Sequence, residues 1–466
     1  MDFSLVIKRF FLVLAFVQFF SLSSWAQKAP GELDYLDDQF ACTDNAKAQK
    51  YIQDFKVDTE GFGGLELCKA QVDLKKLLND LEIIENGHFT ADSQIPNKYV
   101  KGFIPSNNYY GWMKGETRGM TRGNDVPFAT AYNSMGYFTM QDGWAKLSTL
   151  GRVGTVIHEA RHTAGYRHIP CNQGPYSGSR LDGCDSEYTY GGSHAIEMEY
   201  YGRVSVLGQN FHPVYKQMAR LMGIARSNFV FNKQLIAKRE GLLLVQENDH
   251  KAILVDGQTV AERELPKVQG VVKRTSFGAS VFNGFNGYAV EMYENTRTQH
   301  PDLLDVYSYY KLLTVRPNAK NAVKDFEEFD NGVKRFAVLV DDKDQIATYD
   351  FPNGKWKSPT TLSFAYTRSA TQLENGQTGY FIISNNNEIH PYNPTTNKVE
   401  DALKGQLWQN ENVSFAQLQN KVLALKTDGQ VYFKNSANQW QLWEGANSRY
   451  SSMLNVPLYD GYDVKL

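Results

Sequence analysis

The chain lacks any surplus of charge. Lys and Arg number 49 against 51 Asp and Glu, a formal net charge of −2. No general attraction to nucleic acid or to an anionic membrane surface follows from that balance. Past the amino terminus the chain also lacks any stretch long and apolar enough to span a bilayer. Cysteine is scarce: Cys42, Cys68, Cys171 and Cys184 are all there are. Their even number fits an oxidising compartment. Local pairing, 42 with 68 and 171 with 184, is the simplest of three connectivities, and the rival is a free Cys68 thiolate blocking a metal from a pro-segment. Aromatic residues are plentiful, with 27 Tyr, 27 Phe and 7 Trp. That supply suits sizeable cores and β-rich structure. A chain of 466 residues is expected to form two or three domains.

The first 26 residues read as a secretory signal. Lys8 and Arg9 form a basic region, Phe10 to Phe20 an apolar one, and Ser24-Trp25-Ala26 a small-residue cleavage site before Gln27. The mature protein is therefore expected to be secreted or periplasmic, with no membrane span. Residues 27–94 read as a mostly helical lead-in or pro-region. Ala70, Leu74, Leu77, Leu78, Leu81 and Ile84 recur at three- and four-residue steps, the mark of a helix that packs one face into a core.

Residues 95–232 hold the stretch with the clearest chemistry. His158-Glu159-Ala160-Arg161-His162 is H-E-x-x-H, extended by Gly165 and His168 to H-E-x-x-H-x-x-G-x-x-H. On a helix, His158 and His162 lie one above the other and can point at one metal ion. Glu159 stands beside the first of them as a candidate general base. Gly165 lets the chain take a positive φ, leave the helix and bring His168 round as a third nitrogen ligand. Three protein ligands with one open position describe a catalytic zinc site rather than a structural one. The helix is expected to run from near Ser148 to Gly165, with Gly151 and Gly154 allowing close packing against a sheet. Val126–Tyr132 and Gly136–Met140 read as strands ahead of it.

The eleven-residue pattern resembles the metzincin clan of zinc metalloendopeptidases. The resemblance implies an α+β catalytic domain and one Zn²⁺ held by His158, His162 and His168. It also implies Glu159 as the base and a protein or peptide substrate, with an edge strand holding the substrate backbone by β-augmentation. Metzincins carry a methionine turn beneath the zinc, and Met198-Glu199-Tyr200, 30 residues after His168, fits the form in which a tyrosine approaches the metal. Tyr200 is then a second catalytic residue. Met218 and Met222 are fallback candidates for that methionine. Ala195 to Tyr201 is rich in helix formers, which opens a second scheme resembling the gluzincins, where the third ligand is a glutamate on a later helix. Glu197 and Glu199 lie 35 and 37 residues past His162, so Glu197 is the alternative third ligand.

From about residue 233 to 466 the pattern changes to short strands with a repeat. Apolar strand cores begin at Leu242, Tyr288, Phe336, Tyr380 and Val422, and successive starts differ by 46, 48, 44 and 42 residues. A four-stranded unit needs roughly 40–50 residues, so this all-β domain is expected to be a five-bladed β-propeller. Several cores precede a polar turn and a second strand, at Asp342–Tyr349, Asn385–Tyr392 and Thr427–Phe433, and some units end near Trp356 or Trp440. The propeller is expected to recruit substrate or to bind a protein or glycan ligand. Two other functions fit the same residues: a zinc amidohydrolase acting on cell wall, and a propeller-based adhesion protein beside an inactive protease domain.

Overall fold

The structure is a computed structural model. It describes residues 43–65, 73–89, 101–126, 129–173, 177–178, 182–211, 213–246, 251–255, 260–264, 271–275, 278–283, 286–292, 316–330, 335–350, 353–446 and 448–463. The segment read as a signal, Cys42, Cys68 and Ala70 lie outside the described residues. Among the described residues, no helix is long and apolar enough to cross a membrane.

The first half is helical around one small sheet. Helix α1 (Asn45–Phe55) starts at Asp44, whose carboxylate accepts from the N–H groups of Ala46 and Lys47. Those N–H groups have no partner inside the helix, which is why a short acceptor is favoured there. Helix α2 (Asp73–Asn86) buries Leu74, Leu77, Leu78, Leu81 and Ile84. These are the residues whose spacing marks a core-packing face. Helix α3 (Tyr109–Glu116) leads into strand β1 (Gly119–Arg122), followed by β2 (Ala131–Ser134) and β3 (Tyr137–Met140). β3 is central: β1 pairs with it in parallel and β2 antiparallel, so β2 is an edge. The strand expected to begin at Val126 begins at Ala131.

After the short α4 (Asp142–Ala145) comes α5 (Thr149–Thr163), which carries the histidine motif. Ser148 Oγ accepts from Gly151 N at its start, and Gly165 takes φ +90° just past its end, the left-handed turn expected of that glycine. α6 (Ser193–Gly202) and α7 (Pro213–Phe229) follow. The two glycines of α5 serve helix packing, not packing on a sheet. A Cβ on Gly154 would fall 1.9 Å from Tyr201 Oη on α6, and one on Gly151 would sit 3.6 Å from Met222 Cε on α7. One core joins Tyr51, Leu77, Phe138, Val153, Tyr200 and Met218, so α1 and α2 share it with the motif helix. Inside it Arg152 Nε donates to Asp80 Oδ2 at 3.0 Å, tying α5 to α2 with both side chains fully buried.

The described residues of the second half form five antiparallel sheets. The first takes β4 (Lys238–Gln246), β5 (Lys251–Val255) and β6 (Val260–Glu264). The second has β7 (Val271–Thr275), β8 (Gly278–Asn283) and β9 (Asn286–Met292). In the third, β10 (Val323–Asp330), β11 (Arg335–Asp341), β12 (Gln345–Asp350) and β13 (Lys355–Trp356) run in order, with β14 (Thr360–Thr361) beside β12. The fourth is β15 (Tyr366–Gln372), β16 (Thr378–Ser384), β17 (Ile389–Asn393) and β18 (Lys398–Val399). The fifth is β19 (Asn412–Leu418), β20 (Lys421–Lys426), β21 (Val431–Lys434) and β22 (Trp440–Leu442).

The final strand, β23 (Tyr450–Tyr459), does not start a sixth sheet. It returns to pair with β4, giving the order β23-β4-β5-β6. The first strands neighbour one another in turn, β23 beside β7, β7 beside β10, β10 beside β15, β15 beside β19, and β19 beside β23. The expected cores at Leu242, Phe336, Tyr380 and Val422 are the second strands of their sheets. Tyr288 belongs instead to the third strand of the second sheet, whose second strand is Gly278–Asn283. That strand, GASVFN, opens with small residues, so it gave a weaker apolar signal than its neighbour NGYAVEM. The two halves meet at a buried pair: Arg220 of α7 donates from Nε and Nη2 to the two carboxylate oxygens of Asp463, each at 2.5 Å.

Candidate metal centre

Four imidazoles meet at the carboxyl end of α5. His158 and His162 project from consecutive turns of that helix, with ring centroids 4.9 Å apart. The turn at Gly165 brings His168 back to within 4.9 Å of His158 and 4.6 Å of His162. His194, from the first turn of α6, lies 4.5 Å from His158 and stacks 4.8 Å from His168. One ring nitrogen each of His158, His168 and His194 lie within 4.8 Å of one another.

The ring orientations follow from what holds each Nδ1. His162 Nδ1 donates to the Tyr166 carbonyl at 2.5 Å, with Ser193 Oγ 3.1 Å away. His158 Nδ1 lies 3.5 Å from Glu197 Oε2, and His168 Nδ1 lies 3.4 Å from Asp185 Oδ1. Each motif histidine therefore turns Nδ1 to an oxygen and leaves Nε2 free, and the Nε2 atoms of His158 and His168 approach to 3.0 Å. Carboxylates so placed are the outer partners of histidine metal sites, although His168 Nδ1 makes no hydrogen bond at this distance.

The outer carboxylates are themselves anchored. Glu197 Oε1 accepts from Arg226 Nε and Tyr201 Oη, both at 3.0 Å. Against the cost of burial, Arg226 and then His158 and His194 hold its carboxyl well below the usual range. Asp185 Oδ2 accepts from the N–H groups of His194 and Ala195, so it caps α6 from another segment while Oδ1 faces His168. Burial opposes its ionisation too, and contact with His168 and His194 outweighs it, leaving the pKa lowered. The loop that carries Asp185 is closed by the Cys171–Cys184 disulfide, the expected pairing. Ile169, next to His168, exchanges backbone hydrogen bonds with Cys184.

The donors fit a divalent metal. Burial, then the neighbouring rings, lowers the pKa of His162 to about 4, and burial, then His194, holds that of His158 well below its ordinary value. Both are neutral near pH 7, the form that binds metal. Glu159 is buried with Oε2 lacking any hydrogen-bond partner. Burial, then Glu197, pushes its carboxyl up to about 8. A buried carboxyl oxygen without a donor is the position a nearby cation satisfies.

The remaining expected residues fall as follows. Glu197 stands behind His158 and His194, held by Arg226 and Tyr201. Tyr200 is buried with its ring against Tyr109 at 5.0 Å and Phe89 at 6.2 Å, within the hydrophobic core. The residue at 198 lies in the middle of a regular helix, and its side chain packs with Cys171, Cys184, Ile224 and Phe231. Met218 and Met222 are core residues of α7. Glu199 accepts from the backbone N–H groups of Lys101, Gly102 and Phe103 and faces Arg203, so it anchors the chain ahead of α3. His194 and Asp185 were not singled out by the motif. The signal that was present is the three-residue step from His194 to Glu197, which places both on one face of a helix.

No family model matches the chain, and no curated protein matches it. Among solved structures it is similar to BBS1N in complex with ARL6DN, at 14% identity and TM-score 0.25, over 44% of this chain and 64% of that one. Apo AztD from Citrobacter koseri shares 8% identity at TM-score 0.22, over 47% and 60%. BamB from Moraxella catarrhalis shares 14% at TM-score 0.21, over 43% and 58%. These are proteins of β-propeller type, and the chain spans less than two thirds of each. The resemblance of residues 158–168 to zinc peptidases stands on its residues and their geometry alone.

Proposed function

We propose that the chain is an exported, metal-dependent hydrolase of amide bonds, acting on protein or peptide substrates. The observation that carries this is the cluster of ring nitrogens from His158, His168 and His194, with the His162 ring 4.9 Å from His158 one turn along the same helix, beside a buried Glu159 whose Oε2 has no hydrogen-bond partner. Zn²⁺ is the ion this donor set suits best, since neutral imidazoles in a small buried site favour it. His158, His162 and His168 would hold it. When bound, it supplies Lewis acidity toward the substrate carbonyl and toward water. Glu159 takes a proton from the attacking water and passes it to the leaving amine. Glu197 and Asp185 keep the imidazoles aimed. The metzincin-like endopeptidase is the finer form of this reading, and an amidase of the cell wall is the other substrate class. Export is supported by the leader-like amino terminus and by the disulfide.

The five sheets are read as the blades of a five-bladed β-propeller, closed by β23 pairing into the first sheet. Their part is binding: recruitment of substrate or of a protein or glycan ligand. A second reading keeps only this part, a propeller-based binding protein with an inactive site, and the closed ring of first strands favours it because such a ring stands without any chemistry at the histidines. Hydrolysis assays on denatured protein and on cell-wall fragments, with and without chelator and with Glu159→Ala, separate the readings. The hydrolase reading expects chelator-sensitive cleavage of one substrate class, lost in the variant. Absence of cleavage, or cleavage unchanged in Glu159→Ala, leaves the binding reading.

A further inference from the structure

The eleven-residue motif accounts for three imidazoles, and the structure brings a fourth. His194 Nε2 lies 3.0 Å from the Gly183 carbonyl. A carbonyl only accepts, so that nitrogen carries the hydrogen and Nδ1 carries the lone pair. Nδ1 in turn lies 3.3 Å from Glu197 Oε2, and Arg226 Nε donates to the other oxygen of that carboxylate. The ring stands against both His158 and His168, and one nitrogen of each of these three residues falls within a 4.8 Å cluster.

The geometry points to His194 as a direct metal donor through Nδ1, so that four imidazoles rather than three surround the ion. This rests on the reading of the cluster as a metal centre. Three protein ligands would leave a position open for substrate, whereas four would fill a tetrahedral zinc site. His194 is set apart from the three motif histidines. It comes from a different helix, whose start is capped by Asp185, and its Nε2 faces the Gly183 carbonyl next to the disulfide.

The test uses the full chain, stripped of metal and titrated with Co²⁺ for its visible spectrum and with Zn²⁺ against a chromophoric chelator. Wild type, His194→Ala, His194→Gln and Asp185→Asn are compared. Loss of an outer-shell partner costs roughly 10–100-fold in affinity, which is the drop expected for Asp185→Asn. His194→Ala is expected to lose more than that and to change the Co²⁺ spectrum. His194→Gln, which keeps an N–H for the Gly183 carbonyl without an imidazole lone pair, is expected to match His194→Ala. Thermal unfolding of the metal-free variants checks that each folds. Wild-type affinity and spectrum in either His194 variant overturn the proposal and leave the three-histidine centre standing. A metal-free wild type that binds neither ion overturns the centre itself.

Discussion

Between Ala48 and Met222 one large hydrophobic core runs through seven helices and the small sheet, and the same half buries Asp80, Arg152, Glu159, Glu197, Glu199 and Arg203. From Lys238 onward the core is divided into smaller clusters, most of them shared by two adjacent sheets. Val338, Ile346, Tyr380 and Ile382 join the third sheet to the fourth, and Phe381, Ile383, Phe415 and Ala424 join the fourth to the fifth. The first arrangement holds charges in place at the cost of desolvating them. The second repeats one apolar packing solution between sheets, and its buried charges, such as Lys273 against Asp325 and Glu327, sit on the first strands of adjacent sheets. The proposed chemistry sits in the first, where buried groups from distant parts of the chain are brought to one point.

The largest expected effect breaks that contrast at its centre. Glu159→Ala should lower hydrolysis about 10²–10⁴-fold, the usual contribution of a general base, while metal content stays at the wild-type level. Steady-state assay with metal analysis of the same samples checks both. The junction of the halves comes next. Arg220→Met removes the cation paired with the fully buried Asp463, so unfolding in denaturant should show a loss of about 3–5 kcal/mol. Arg220→Met with Asp463→Leu should recover much of it, because the pair is then absent as a whole.

A third prediction concerns pH. The Glu159 carboxyl moves from an ordinary 4.5 to about 8 on folding. Between those values the folded, metal-free chain keeps a proton that the unfolded chain has released, so this group costs stability as pH rises from about 4.5 to about 8. Glu159→Gln removes the titration. Its metal-free melting temperature should exceed that of wild type at pH 8 and match it near pH 4.5. The difference is about 4 kcal/mol across the window at roughly 1.4 kcal/mol per pH unit. Equal melting curves at both values would show that Glu159 is not buried as described. The smallest effect sharpens the contrast at its edge. Cys171 and Cys184 are 13 residues apart, and replacing both with Ser should cost about 3 kcal/mol. The loss should fall on the helical half, so that hydrogen exchange rises at 168–195 and stays unchanged in β10–β23.

Much of the sheet half was legible in the sequence because its order is local. Each strand pairs with its neighbour along the chain, so regular spacing of apolar cores from Leu242 to Val422 carried the pattern. The closure by β23 was not legible, since nothing in Tyr450–Tyr459 marks a partner 200 residues earlier. In the helical half, the helix from Ser148, the turn at Gly165 and the face of α2 could be read from caps, glycine and period. The partners of the histidines could not. Asp185 sits in a polar loop rich in similar residues, and Arg226 reaches Glu197 from a later helix. The glycines of α5 were readable as sites of close approach, but only the structure shows that Tyr201 and Met222 are what approaches.

The most direct test of the central claim is metal stoichiometry in freshly purified, unchelated protein, comparing wild type with His168→Ala and Glu197→Ala. The account expects one transition-metal ion per chain in wild type, near-complete loss in His168→Ala, and metal retained with weakened affinity in Glu197→Ala. No stoichiometric metal in wild type, or full occupancy in His168→Ala, would contradict it.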